Sequence, residues 1–425
     1  MKNFLTVLTA IALFGLIACE GPAGPAGKDG ATGAAGKDAG FVYFEGFKAD
    51  LKCATCHSAD SDTSLRVAAL KFQYEFSGHG EGAEYSHTTN TCNGCHTNEG
   101  FNERYRKGFA TETFTVGVAS GPITSQSITN VTRPGCFTCH APHARGNFSV
   151  RDSGGVNIFT LIGGKSTAVW NGTSESNLCV KCHQPRMTSN FLIPGTTATS
   201  WQPNATKTAA TDTAKIYTTS WNNHVSGQMT QTLLGTGGVE IAGATAYSNS
   251  YHTTLIGNKT LGCPDCHMAT VSSGTRYGGH TFKVKYVADT SSTSASYNLA
   301  GCNVTGCHTG VTTSESHWTK RATIIAKTTE LAKLLMDTTI TKKWMVPQSG
   351  KAVAWVKYGT LGKIAGDTTY SGNGASSTVP LVIIPAVKAG ALWNLVHVQN
   401  DKSHGMHNYQ YTLALLQNSI DELKK

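Results

Sequence analysis

Charged residues are scarce in this chain: Asp, Glu, Lys and Arg make up 14% of its 425 residues. Long apolar runs are scarcer still. The one near the start, Phe4 to Ile17, is too short for a transmembrane span, and no other stretch would cross a bilayer. Histidine is also uncommon, at 16 residues, so any regular placement of it carries information.

Such a placement exists. There are 13 cysteines, and ten of them form five pairs, each with two residues between and a histidine directly after. These are Cys53/Cys56/His57, Cys92/Cys95/His96, Cys136/Cys139/His140, Cys179/Cys182/His183 and Cys263/Cys266/His267. CxxCH is the attachment signature of c-type haem: the two thiols bond to the porphyrin and the next residue puts an imidazole under the iron. Zinc sites and disulfides also use cysteine pairs, but neither needs a histidine at that offset. Cys302-Asn-Val-Thr-Gly-Cys307-His308 is a sixth, wider version, whose extra residues would have to bulge. Its alternative reading is a Cys302–Cys307 disulfide. The sequence thus predicts six covalently bound c haems.

Cys19 is the one cysteine left over. Lys2, the short apolar run and Leu16-Ile17-Ala18-Cys19 read as a secretory signal over residues 1–18. The small residues before Cys19 resemble the bacterial lipobox, which implies cleavage there and lipidation of the thiol; an ordinary signal peptide is the alternative. Glu20, in place of the Asp that retains lipoproteins at the inner membrane, favours the outer membrane, on its periplasmic face or at the cell surface. Residues 19–40 then carry glycine at every third position from Gly21 to Gly36. Extended, this collagen-like stretch would reach roughly 50 Å at about 3 Å per residue. It reads as a flexible spacer or, if it forms a triple helix, as the stalk of a trimer.

The formal charge of +9 is no sign of a nucleic-acid partner. Six haems bring two propionates each, which would leave the loaded protein at about +3 to −3.

The chain reads as a multihaem cytochrome c with little regular structure around the haems, mainly α with short hairpins, and a helical C-terminal segment. The haem-binding region is 41–310 and the helical segment, supplying a distal histidine, is 311–425. Helices are predicted over Ser64–Phe76, Trp318–Met336, Pro385–Val398 and from Asn408 onward, the last with Asn408 as N-cap. Residues 110–135 suggest a hairpin, while Gly195–Lys215 and Asp289–Asn298 read as surface loops.

Six histidines sit in the attachment motifs, which leaves ten for the irons' other faces. Histidine on both faces saturates the iron and suits it to passing electrons. Several stretches resemble the lineage of pentahaem nitrite reductases, octahaem tetrathionate reductases and hydroxylamine oxidoreductases, and the chain also resembles outer-membrane cytochromes of metal-respiring bacteria. The stretches are Cys136-Phe-Thr-Cys139-His140-Ala-Pro-His143, Tyr251-His252 with Gly262 to Met268, Gly278-Gly-His280-Thr-Phe282, and Asp401-Lys-Ser-His-Gly-Met-His407-Asn408. The resemblance implies His143, His252, His280 and His407 as distal ligands; His79, His87 and His224 fit more loosely. That is seven for six irons. His317, His397 and His404 read as ordinary surface or supporting histidines. One departure stands out: the nitrite reductases carry CxxCK at the catalytic haem, and this chain has none.

The leading functional expectation is an electron carrier at the outer membrane, passing electrons to another cytochrome or an extracellular acceptor. The alternatives are a reductase of a small nitrogen or sulfur oxyanion with one open haem, for which Arg145 or Arg186 would hold the anion, and a cytochrome filament subunit.

Overall fold

A computed structural model describes residues 67–82, 85, 93–106, 131–140, 149–151, 154–158, 168–170, 172–184, 208–216, 228–270, 276–287, 295–312, 316–346 and 381–425. The chain divides into Met1–Leu51 and Lys52–Lys425, and all of these residues lie in the second unit. The predicted signal, Cys19, the spacer and the 110–135 hairpin core therefore fall outside the described residues.

The described elements are mostly helical. In chain order they begin with α1 (Val67–Glu75), α2 (Gly78–Glu81), α3 (Asn93–His96), α4 (Asn98–Arg106) and α5 (Cys136–Cys139). The antiparallel pair β1 (Val156–Ile158) and β2 (Ala168–Trp170) leads into α6 (Ser174–Cys182). After β3 (Ala214–Ile216) come α7 (Met229–Leu233), α8 (Tyr251–Gly257), α9 (Cys263–His267) and a 3-10 turn at Gly279–Thr281. A second pair, β4 (Lys285–Val287) and β5 (Ala295–Tyr297), precedes α10 (Ser316–Met336) and α11 (Thr338–Thr341). The chain closes with β6 (Met345–Val346), β7 (Leu381–Ile383), α12 (Lys388–Asp401) and α13 (Tyr409–Lys424). Two strands correct the sequence reading. Ala214–Ile216, which overlaps the end of the expected 195–215 loop, pairs with β7, and Ala295–Tyr297, inside the expected 289–298 loop, pairs with β4. Each is only three residues long, too short to show alternation.

The largest apolar core joins α10, α12 and α13 with the three-stranded β3-β7-β6 sheet. On the inner face of α10, Ile324, Leu331 and Leu335 are fully buried and Leu334 partly so. Thr328 fits there because its hydroxyl donates to the Ile324 carbonyl one turn back, at 2.7 Å, and so enters the core satisfied. In α13, Leu416, Ile420 and Leu423 are buried and Leu413 packs at the margin, while the Asn408 side chain accepts from the Tyr411 N–H as the expected N-cap. Each fully buried leucine contributes about 2 kcal/mol, and Leu416→Ala would cost about 2–5 kcal/mol.

α12 is buried on nearly every side, and its polar residues tie down another segment. Asn394 accepts from the Val239 N–H at 2.6 Å and donates to the Val239 carbonyl at 2.8 Å. Trp393 Nε1 donates to the Gly237 carbonyl at 2.7 Å, and Tyr411 Oη accepts from the Gly238 N–H at 3.1 Å. The 237–241 segment is thus held like an extra strand against the C-terminal helices. It leads directly to α8, which carries His252.

Candidate haem-ligand sites

The three regular attachment motifs with both cysteines described, the third, fourth and fifth, sit on helical turns. Cysteines three apart lie on one helix face, and the histidine follows at the end of that turn: His140 N–H donates to the Cys136 carbonyl and His183 N–H to the Cys179 carbonyl, each at 2.9 Å. The intervening residues help start the turn. Thr138 Oγ1 accepts from the Gly135 N–H at 2.8 Å, and Asp265 Oδ2 from the Gly262 N–H at 2.6 Å.

The sixth motif reaches the same closure by another route. Its His308 N–H donates to the Cys302 carbonyl at 3.2 Å although two more residues intervene. The surplus is taken up by a turn in which the Cys307 N–H meets the Val304 carbonyl at 3.0 Å and Gly306 adopts φ +87°, a left-handed conformation suited to glycine. The expected bulge is there. None of the nine described cysteines is in a disulfide, Cys302 and Cys307 included.

Each of four motif histidines faces a histidine from elsewhere in the chain. The ring centres are 5.9 Å apart for His183 and His79, and 6.3 Å apart for His140 and His280, His308 and His252, and His267 and His407. A metal–imidazole bond is about 2 Å long and the ring centre lies about 1 Å behind its nitrogen, so two imidazoles on opposite faces of one iron stand about 6 Å apart. The interplanar angles range from 39° to 89°, a freedom each ring keeps by turning about its own bond to the metal. The spacing and the donor chemistry both fit a haem held between the rings.

The outer nitrogens fit as well. His267 Nδ1 lies 3.0 Å from the Phe282 carbonyl, His252 Nδ1 3.0 Å from the Met406 carbonyl, and His407 Nδ1 2.6 Å from Asp401 Oδ1. Occupying Nδ1 fixes the tautomer and turns Nε2 toward the facing ring. Burial, together with the neighbouring His183 ring, pushes His79 down to about 4, so it is neutral and able to ligate at neutral pH. Burial likewise lowers His267 and His280. His407 goes the other way: burial opposes its charge, but the Asp401 carboxylate outweighs burial and raises it.

Neighbouring sites touch. Cys95 Sγ is 4.0 Å from the Lys181 carbonyl, which links the second and fourth motifs. Phe101 and Leu178 pack against both Cys139 and Cys182, linking the third and fourth. Ser176 Oγ accepts from the Cys263 N–H at 2.8 Å, bringing the fifth onto α6. Gly301 lies against Asp265 and Cys266 so closely that a Cβ would come within 2.3 Å of the Asp265 carbonyl, joining the sixth to the fifth. Phe282, at φ +56°, serves three sites at once. Its carbonyl meets His267, and its ring stands 5.2 Å from that of His79 and 6.1 Å from that of His280.

Of the seven expected distal ligands, His79, His252, His280 and His407 are each brought opposite a motif histidine. His87, His143 and His224 lie outside the described residues, as do Cys53, Cys56, His57, Cys92, Arg145 and Arg186. Of the two readings of His397 the surface one is excluded and the supporting one stands: it is fully buried in α12, with Nε2 3.1 Å from the Thr232 hydroxyl. His404 is half-buried, at φ +51°. Asp401 and Phe282 were overlooked although both stand in the stretches that carried the resemblance.

Residues 30–150 match a family model described as outer membrane cytochrome MtrC/MtrF-like, domains II/IV. This stretch spans the first three attachment motifs and less than half of the chain. The match supports an outer-membrane, electron-transferring cytochrome that binds c-type haems; it does not bear on the nitrite reductase and hydroxylamine oxidoreductase lineage. No curated protein and no solved structure matches the chain.

Proposed function

We propose that the protein is a six-haem, bis-histidine electron carrier, anchored to the outer membrane through a lipid on Cys19 and held off it by the 19–40 spacer. The observation that carries this is the set of four histidine pairs, each joining an attachment motif to a remote residue at 5.9–6.3 Å. A c-type haem between two imidazoles supplies an iron that takes up and releases one electron with no position open to a substrate. The chain's part is to hold and space these groups. The paired thiols fix each site, the facing histidines close it, and the contacts between motifs keep successive sites side by side. His87, His143 and His224 remain for the first two sites, one more than those sites need. The partners implied are another cytochrome or an extracellular acceptor. Whether the spacer also assembles a trimer is a question for the oligomeric state of the mature, lipidated protein.

The test is low-temperature EPR of the oxidised protein, with haems counted by intact mass, before and after adding nitrite or hydroxylamine. Six haems with only low-spin signals, unmoved by either molecule, are expected. A stoichiometric high-spin signal that shifts on addition would overturn the carrier reading in favour of an oxyanion reductase, whose open iron would belong to the first or second site.

A further inference from the structure

His407 is held by a buried acid. Asp401 is 2% exposed at the end of α12, and its Oδ1 lies 2.6 Å from His407 Nδ1. Its other oxygen accepts from the Ser403 hydroxyl and, at 3.3 Å, from the Ser403 N–H. The Ser403 hydroxyl oxygen in turn accepts from the His407 N–H at 3.2 Å. Asp401 and Ser403 together therefore fix the residue whose ring faces His267. At His252 and His267 the same ring nitrogen meets a neutral carbonyl. A carboxylate differs in two ways. It draws the Nδ1 proton toward itself and makes the imidazole a stronger electron donor, and it places a full negative charge beside the iron, in a buried setting where charges are poorly screened.

We infer that Asp401 tunes the fifth haem site: through His407 it favours the ferric iron, so the site held by Cys263, Cys266 and His267 is lower in potential than it would be with a neutral partner on that nitrogen. This rests on the bis-histidine reading of the His267–His407 pair. Asp401 contacts His407 at Nδ1, so it is a positioning residue that acts through that ring. Its consequence is a step in the electron path. An electron arriving at the fifth site is held weakly and passes readily to the neighbours that α6 and Gly301 bring against it.

The experiment uses the full-length, six-haem protein and compares wild type with Asp401→Asn, Asp401→Glu, Ser403→Ala and His407→Ala by redox titration followed optically and by EPR. Asp401→Asn keeps a hydrogen-bonding group but removes the charge. It should raise one midpoint of the six by the equivalent of tenfold or more in the ferric-to-ferrous ratio, about 59 mV for one electron, with the iron still low-spin. Asp401→Glu should restore part of the wild-type value. Ser403→Ala removes the hydroxyl that shares the carboxylate with His407, leaving the weaker backbone N–H bond, and should move the same midpoint the opposite way. The tuning is overturned if Asp401→Asn and Ser403→Ala both leave all six midpoints in place while every iron stays low-spin. If Asp401→Asn loses His407 from the iron, the Ser403→Ala shift decides the matter. His407→Ala separates the two claims: if it creates no high-spin iron, the ligand assignment itself falls, and the tuning with it.

Discussion

The Nδ1 of His252 lies 3.0 Å from the carbonyl oxygen of Met406, the residue immediately before His407. On the proposed bis-histidine reading one turn would serve two irons, presenting His407 to the fifth site and orienting His252 for the sixth. The turn is held by Gly405, at φ +87°, where a Cβ would come within 2.7 Å of Ile324 Cγ1 on α10. Gly405→Ala should disturb two of the six low-spin EPR signals together, at a stability cost on the order of 2 kcal/mol from the left-handed backbone and the contact. A change confined to one signal would separate the two sites.

Single replacements of the facing histidines should each open one iron. His79→Ala, His280→Ala and His252→Ala are expected to convert one haem in six to high-spin, leaving the haem count by intact mass unchanged, because the thioethers do not depend on the distal ring. His397→Ala should create no high-spin iron. Carbon monoxide binding to the reduced proteins, counted per haem, checks both statements.

The sixth site should tolerate a shorter loop. His308 already closes onto the Cys302 carbonyl as the regular motifs do, with the surplus in the Val304–Cys307 turn. Deleting Thr305 and Gly306 leaves Cys-Asn-Val-Cys-His and should retain six haems by intact mass. The double change Cys302→Ser with Cys307→Ser should leave five.

His397 predicts a dependence on acid. Burial holds it down to about 4, only partly offset by Asp401, whereas an unfolded chain takes up this proton near pH 6.5. The unfolded state thus binds more protons between those values, so stability present above pH 6.5 falls as the pH drops toward 4, by at most about 1.4 kcal/mol per pH unit from this group. In His397→Gln, which keeps a polar group for Thr232, the thermal midpoint by circular dichroism should vary less between pH 6.5 and 4.5 than in wild type. An unchanged pH profile would mean that the imidazole is reached by solvent.

Attachment chemistry was legible because it is local: two thiols and an imidazole must come from one turn, and that spacing is written into the chain. The longer helices followed from caps and apolar spacing, with Asn408 and α10 the clearest cases, whereas the short ones did not. Pairing was not legible. His183 finds His79, and His267 finds His407, through contacts between remote segments that no short pattern encodes. The strands at Ala214–Ile216 and Ala295–Tyr297 escaped for a related reason, since each is defined by its partner more than by its own residues. The burial of His397 was not legible either, since residues one apart on a helix do not share a face and its polar partner, Thr232, is remote in sequence.

The direction of the pairings sets an order of assembly. A chain is made from its N-terminus, so His79 already exists when His183 appears. His140 has to wait for His280, and His267 for His407, near the far end of the chain. Under this pairing the fifth site is completed only when the C-terminal helices dock, and a chain cut short before His407 would carry an attached but half-ligated iron.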